Sequence, residues 1–268
     1  MNKKVKYNWK YYNHALLPTT PPHVKVDENV LNSKLFWKSW NGLPILARWT
    51  SDWDCGCKTN WWYVIKDTRF DLDKLKSKRR YEIKKGCKNF YVEKIYNIQI
   101  EAYKEYPDKY RPCVNKDKIY ESIKEWAVYE VYGVFSISDN ELVGYALTQR
   151  NGICVNYVTH KVIPKYEKFA VNAALVHGIL EDLKSFLENG GYICDGERSI
   201  LHESNFQDYL EKYFGFRKAY CKLHIKYRYV SLKIIVKFLL LFKFFFYRTK
   251  QNKLIHKIVG LLRMQESI

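Results

Sequence analysis

The sequence predicts an α/β protein of the α+β kind: a mixed, mostly antiparallel sheet flanked by helices, with amphipathic helices at the C-terminus. Three observations carry this. Residues 128–163 alternate apolar and polar in three stretches separated by Asp139-Asn140 and Asn151-Gly152, the pattern of antiparallel strands joined by tight turns. From about Ala170, the residues Val171, Ala174, Leu175, Ile179, Leu183, Phe186 and Leu187 recur at helical spacing until Asn189-Gly190-Gly191 ends the run. Residues 191–228 then read as strand, polar loop, short helix, Gly-Phe and strand.

The bulk properties set limits. A length of 268 residues suits one large domain or two small ones, and 47% apolar residues are ample for a core. The pattern changes divide the chain into an aromatic-rich segment (1–95), a segment of alternating strands and helices (96–228) and a basic tail (229–268). A formal charge of +18 favours an anionic partner: nucleic acid, acidic glycan, phosphorylated cofactor or anionic lipid. The N-terminus has no apolar run, so no signal peptide is expected. The seven cysteines are odd in number and scattered, as suits reduced thiols in a cytoplasm. Cys55-Gly56-Cys57 is the one close pair, and without a second pair no metal site is expected.

Residues 1–35 read as irregular, with an extended, proline-rich stretch at 17–22. Strands are expected at 44–49 and 61–65. The tryptophans around them suit core and sheet packing or a stacking platform for a sugar. A helix capped by Asp71 or Asp73 follows, and seven of the thirteen residues 74–86 are Lys or Arg. This is a solvated charged face or an anion-binding one. Residues 89–95 alternate as a strand, and 97–127 read as helical with interruptions at Pro107 and Pro112.

The short helix starts at Ser204, with the capping-box spacing to Gln207. Phe206, Tyr209, Leu210, Tyr213 and Phe214 share one face. Gly215 ends it. The polar loop 195–205 follows the C-terminal end of a strand, where open sheets tend to bind ligands. In it, His202 or Glu203 is placed to take a proton from an attacking amine or hydroxyl. Asp195 or Glu197 is placed to orient that group, and Arg198 to hold an anionic acceptor. Asn205 is either a substrate contact or a helix cap.

The element order over 97–228, with Leu142-Val143-Gly144-Tyr145-Ala146 and Tyr213-Phe214-Gly215-Phe216-Arg217, resembles the GNAT superfamily of N-acetyltransferases. The upstream run at 76–95 (KSKRRYEIKKGCKNFYVEKI) resembles its FemAB-like branch, in which a second, often degenerate GNAT-like half precedes the active one. Many such proteins modify cell-envelope glycans, peptidoglycan or polysaccharides. The resemblance implies that the strand at 153–158 splays from the strand at 192–194. The pantetheine of an acyl-CoA would lie in the gap, beside Val155 and Tyr157. It also implies a pyrophosphate at the start of the next helix, on a glycine-rich loop. Here the glycine positions hold Lys168, Ala170 and Asn172, so Lys165 or Lys168 would supply charge instead. Aminoacyl-tRNA is the alternative donor, and a non-catalytic binding protein the alternative fate. Glu211 stands where many members place a tyrosine acid.

Residues 230–247 combine Lys233, Lys237 and Lys243 with Leu, Ile, Val and Phe, the pattern of a basic interfacial helix, and 254–262 suggest a second. No apolar run reaches membrane-spanning length. The expectation is attachment of 230–263 to the inner face of a membrane; docking on the protein itself or on a second subunit is the alternative. The function expected is acyl transfer to an amine or hydroxyl of a glycan or lipid-linked envelope precursor.

Overall fold

The computed structural model describes residues 7–94, 128–200, 205–248 and 252–268. The helices expected at 97–127, the helix start at Ser204 and the candidates His202 and Glu203 lie outside the described residues.

In chain order, the strands are β1 (Trp9–Tyr12), β2 (Ala15–Pro18), β3 (Leu46–Ser51), β4 (Trp61–Lys66) and β5 (Phe90–Lys94). They continue with β6 (Glu130–Ser136), β7 (Leu142–Asn151), β8 (Cys154–Val162), β9 (Tyr192–Glu197) and β10 (Arg217–Tyr227). Among the described residues the α-helices are α1 (Lys34–Lys38), α2 (Ser77–Asn89), α3 (Val171–Asp182), α4 (Lys184–Glu188), α5 (Asn205–Phe214), α6 (Val230–Leu241), α7 (Lys243–Arg248) and α8 (Lys253–Gln265). The chain forms two compact units that interleave along the sequence, divided after Tyr63, Gly196, Ser204 and Arg217.

The first unit holds β1, β2, β3, most of β10 and the C-terminal helices. β1 pairs antiparallel with β2, β2 pairs parallel with β3, and β10 runs antiparallel to β3 from Lys222↔Ser51 to Tyr227↔Leu46. The segment expected to be irregular thus contains a hairpin. Its turn residues Asn13 and His14 have φ of 45° and 65°, left-handed values usually signalled by glycine, which is absent here. Trp9, Trp37 and Trp40 pack with Leu16, Leu31 and Phe36 in one core cluster, and Trp61 packs with Cys221 and Leu223 in another. These tryptophans are packing residues.

The second unit carries a mixed, mostly antiparallel sheet in the order β9-β8-β7-β6-β5. β5 to β8 form an antiparallel run, with turns at Asn140 (φ 57°) and Gly152 (φ 61°) where the sequence signals them. β9 then adds in parallel to β8. That parallel connection needs a crossover, which α3 and α4 supply. The apolar run expected as one helix is offset at Leu183, between α3 and α4. α3 buries Val171, Ala173, Ala174, Leu175, Val176, Ile179 and Leu180. α2 packs close to its start: a Cβ on Gly86 would lie 2.5 Å from the Ala170 carbonyl oxygen and 3.0 Å from Ala174 N. Asp71 caps a short 3-10 turn through Asp73 N (3.0 Å), and α2 begins later, at Ser77. Gly215, at φ 66°, closes α5 as expected.

Candidate active site

The candidate site lies in the second unit, where β8 and β9 part. They pair only over Cys154↔Tyr192, Val155↔Ile193 and Asn156↔Cys194. Beyond Asn156, β8 runs on to Val162 and β9 to Glu197 with no residue of one opposite the other. A bulge sits at the same place. Against β7, Leu147 faces Thr159 while Thr148 faces Tyr157, so Val158 is the extra residue. Bulges re-aim side chains, and this one brings Tyr157 and His160 together.

The Tyr157 hydroxyl donates to His160 Nδ1 (2.7 Å), and His160 Nε2 donates to Asn172 Oδ1 on the first turn of α3 (2.7 Å). The ring of Phe206, from α5, lies 4.8 Å from that of His160 and 5.9 Å from that of Tyr157. Burial lowers the His160 pKa to about 4, so the ring is neutral near pH 7. A neutral ring has one N–H, which fits a donor to Asn172 on one side and an acceptor from Tyr157 on the other. Burial and the Asp195 carboxylate raise the Tyr157 phenol well above its ordinary value.

Asp195 lies on β9 just past the last paired residue. Burial pushes its carboxyl up to about 7, against a lowering hydrogen bond from the Gln207 side chain. A carboxyl poised near neutrality is suited to accept a proton. Asp195 and Glu197 belong to the strand rather than to the polar loop expected from 195 onward.

A cavity of about 460 Å³ opens along α5, lined by Asn172, Asn205, Phe206, Tyr209, Lys212 and Tyr213 among others. The rings of Phe206, Tyr209 and Tyr213 form a ladder, with centroids 6.2 and 4.8 Å apart, and the Arg79 guanidinium lies 5.8 Å from the Tyr213 centroid. The Tyr209 hydroxyl is buried and has no hydrogen-bond partner among the described residues.

The other sequence candidates fall in different places. Val155 is fully buried in the core of β8. Glu211 is half-buried on α5. Lys165 and Lys168 lie on the 3-10 helix Pro164–Phe169, each ammonium over the ring of the next residue, at 4.9 and 5.0 Å. Ala170 caps α3 in the left-handed region (φ 65°, ψ 35°), so an alanine holds the backbone shape that glycine adopts most easily. Lys85 Nζ donates to the Lys168 carbonyl (2.8 Å). A glycine-lined cradle for a pyrophosphate is therefore absent; the segment is a closed 3-10 turn buttressed by α2.

Glu197 and Arg198 belong to the first unit, and each has a partner there. Glu197 forms an ion pair with Arg48. Arg198 donates to the Asn60 carbonyl, and its guanidinium lies 4.7 Å from the Trp62 ring centroid. Among the described residues, no cluster of three or more His, Cys, Asp or Glu could hold a metal ion. His160 was missed in the sequence because, in a regular strand, a residue three positions from Tyr157 points to the other face. The bulge that reverses this leaves no mark in composition.

No protein-family model and no curated protein matches this sequence. Solved structures do. The C-terminal domain assigned to a lysylphosphatidylglycerol synthetase from Agrobacterium fabrum superposes with a TM-score of 0.52 at 8% identity, covering 86% of this chain and 82% of that one. The chain has the GNAT fold. L-PGS from Bacillus licheniformis matches at a TM-score of 0.49 and 14% identity, over 90% of this chain and 86% of that one. FemX matches at 0.42 and 11%, over 61% and 60%. The splayed pair of the GNAT fold is β8 and β9 here, and the helix after its fifth strand is α5.

Proposed function

We propose that this GNAT-fold chain is an acyltransferase that moves an acyl group onto an amine or hydroxyl of a glycan or lipid-linked envelope precursor. The observation that carries the reading is Asp195, a carboxyl pushed up to about 7 at the point where β8 and β9 part. In this reading the acceptor group approaches Asp195, which takes its proton as the nucleophile attacks the acyl carbonyl; the tetrahedral adduct then collapses, the bond to the donor's carrier group breaks, and that group leaves with the proton returned by Asp195. Backbone N–H groups of β8 beyond Asn156 hold the developing oxyanion. The relay from Tyr157 through His160 to Asn172 keeps the gap's wall in a single arrangement. The aromatic ladder and the amide groups of Asn172 and Asn205 line the cavity for the acceptor, a mixture of apolar faces and polar groups that suits a sugar.

The donor class is an activated acyl group. Acyl-CoA is the donor the resemblance names, but Lys168, Ala170 and Asn172 do not make its glycine cradle. Aminoacyl-tRNA is the second reading, favoured by the lysines and arginines of α2, with Lys78, Lys84 and Lys88 exposed. Loss of tRNA binding with rising salt would support it, and absence of tRNA binding would exclude it. The enzyme would work at the cytoplasmic face of a membrane. Among the described residues, no helix is long and apolar enough to cross one.

The test is a transfer assay over a panel of acyl-CoAs and aminoacyl-tRNAs with amine- and hydroxyl-bearing glycan and lipid acceptors. Transfer by the wild-type chain that Asp195→Asn abolishes supports the reading. A chain that binds no donor in native mass spectrometry is a binding protein instead.

A further inference from the structure

The helices α6 and α7, in the first unit, carry an unusual surface. Val230 is 75% exposed, Ile234 62%, Phe238 58%, Leu241 74% and Phe245 68%. On a wheel of about 100° per residue, the exposed apolar residues of α6 and Phe242 span an arc of roughly 140°. Val236, the one buried residue of α6, lies outside that arc, as do the half-buried Leu232, Leu239 and Leu240. The side that packs on the protein is therefore distinct from the exposed apolar side. Lys233 and Lys237 lie between the two, both exposed. Residues 230–248 contain no Asp or Glu. Lys243 is held by Glu266, the C-cap of α8 (2.6 Å), which ties α7 to the last helix.

We propose that Val230, Ile234, Phe238, Leu241, Phe242 and Phe245 insert side by side into the headgroup–acyl boundary of an anionic lipid monolayer, with Lys233 and Lys237 at the lipid phosphates. An exposed apolar face of this size marks an interaction site, and apolar residues flanked by lysines are the pattern of helices lying in a membrane interface. The charges choose the occupant. A second copy would bring Lys233 and Lys237 against the same two cations, with no acid on α6 or α7 to offset them, whereas an anionic leaflet attracts them. The proposal names the lipid surface for the membrane location read above; it stands or fails without reference to the transfer chemistry.

The test is co-sedimentation of the full chain with phosphatidylcholine vesicles, with and without phosphatidylglycerol, at low and high salt. The expected result is binding to the phosphatidylglycerol vesicles that weakens with salt. The double variant Ile234→Ser, Phe238→Ser should lose binding by about tenfold or more, and Lys233→Gln, Lys237→Gln should lose the preference for anionic lipid. The second variant leaves the apolar face intact and guards against misfolding of the first. Equal binding to neutral and anionic vesicles, no binding to either, or binding untouched by both variants would overturn the proposal. So would a wild-type dimer in sedimentation velocity that the serine variant dissociates, since a second copy would then cover this face.

Discussion

The Tyr157 hydroxyl lies 2.7 Å from Nδ1 of His160, although the two residues are three positions apart on one strand. Regular strands send such residues to opposite faces. The extra residue Val158 rotates the second half of β8 so that both side chains lie together, against Phe206 of α5. Burial keeps His160 neutral, and the contact sets where its one proton sits, on Nε2 toward Asn172. Tyr157→Phe should therefore cost about 1–3 kcal/mol, because it leaves His160 Nδ1 desolvated and without a donor. Thermal or urea unfolding at pH 7 checks this, and an unchanged midpoint would contradict the bond.

Much of the fold was legible because local signals agreed with it. The turns at Asn140 and Gly152, the stop at Gly215 and the helical face of α3 follow directly from residue types and periods. The Asn13-His14 turn was hidden because left-handed φ there is carried by residues other than glycine. The site was less legible. Asp195 or Glu197 was expected to orient the nucleophile from a polar loop, with His202 or Glu203 taking the proton; Asp195 and Glu197 both lie on β9, and Glu197 and Arg198, only two and three residues beyond Asp195, belong to the first unit and pair with Arg48 and Asn60. Proximity in sequence could not separate them, since alternation along a strand and the positive φ of Gly196 (99°) divert successive side chains. His160 depended on the bulge, which is a property of the pairing of β7 with β8.

Asp195 and His160 impose opposite pH dependences. Asp195 has a folded pKa of about 7 against an ordinary 3.8, so the folded state binds more protons across that window and loses stability as pH rises through it. His160 has a folded pKa of about 4 against 6.5, so the folded state binds fewer protons and gains stability as pH rises from about 4 to 6.5. Asp195→Asn removes the first effect. The variant should be more stable than the wild type above pH 7, by up to ~4 kcal/mol, and close to it near pH 4. Melting curves across this range check the sign; parallel profiles for the two proteins would refute the displaced carboxyl.

The closed turn before α3 rests on α2. In Gly86→Ala the new methyl would meet the Ala170 carbonyl at 2.5 Å, with backbone on both sides unable to yield. A loss of about 1–3 kcal/mol is expected in a denaturant titration. Ala170→Gly is the converse case: it relieves a left-handed alanine and should leave stability unchanged or raise it by about 1 kcal/mol at most.

Tyr209 carries a buried hydroxyl with no hydrogen-bond partner among the described residues. Tyr209→Phe removes a desolvated polar group and should be neutral or stabilising by about 1 kcal/mol. If that hydroxyl contacts the acceptor in the cavity, the same variant raises KM while the melting temperature holds or rises. A fall in stability would show that the hydroxyl has a structural partner.

The central claim is that Asp195 accepts the proton in acyl transfer, and the pH–rate profile of transfer tests it most directly. With a donor and acceptor from the panel, kcat/KM for the wild type should rise with pH through an apparent pKa of about 7. Asp195→Asn should lower the rate on the order of 100-fold or more and flatten that limb, while keeping the folded structure. An Asp195→Asn protein that transfers at the wild-type rate, or a wild-type profile with no limb near pH 7, would contradict the account.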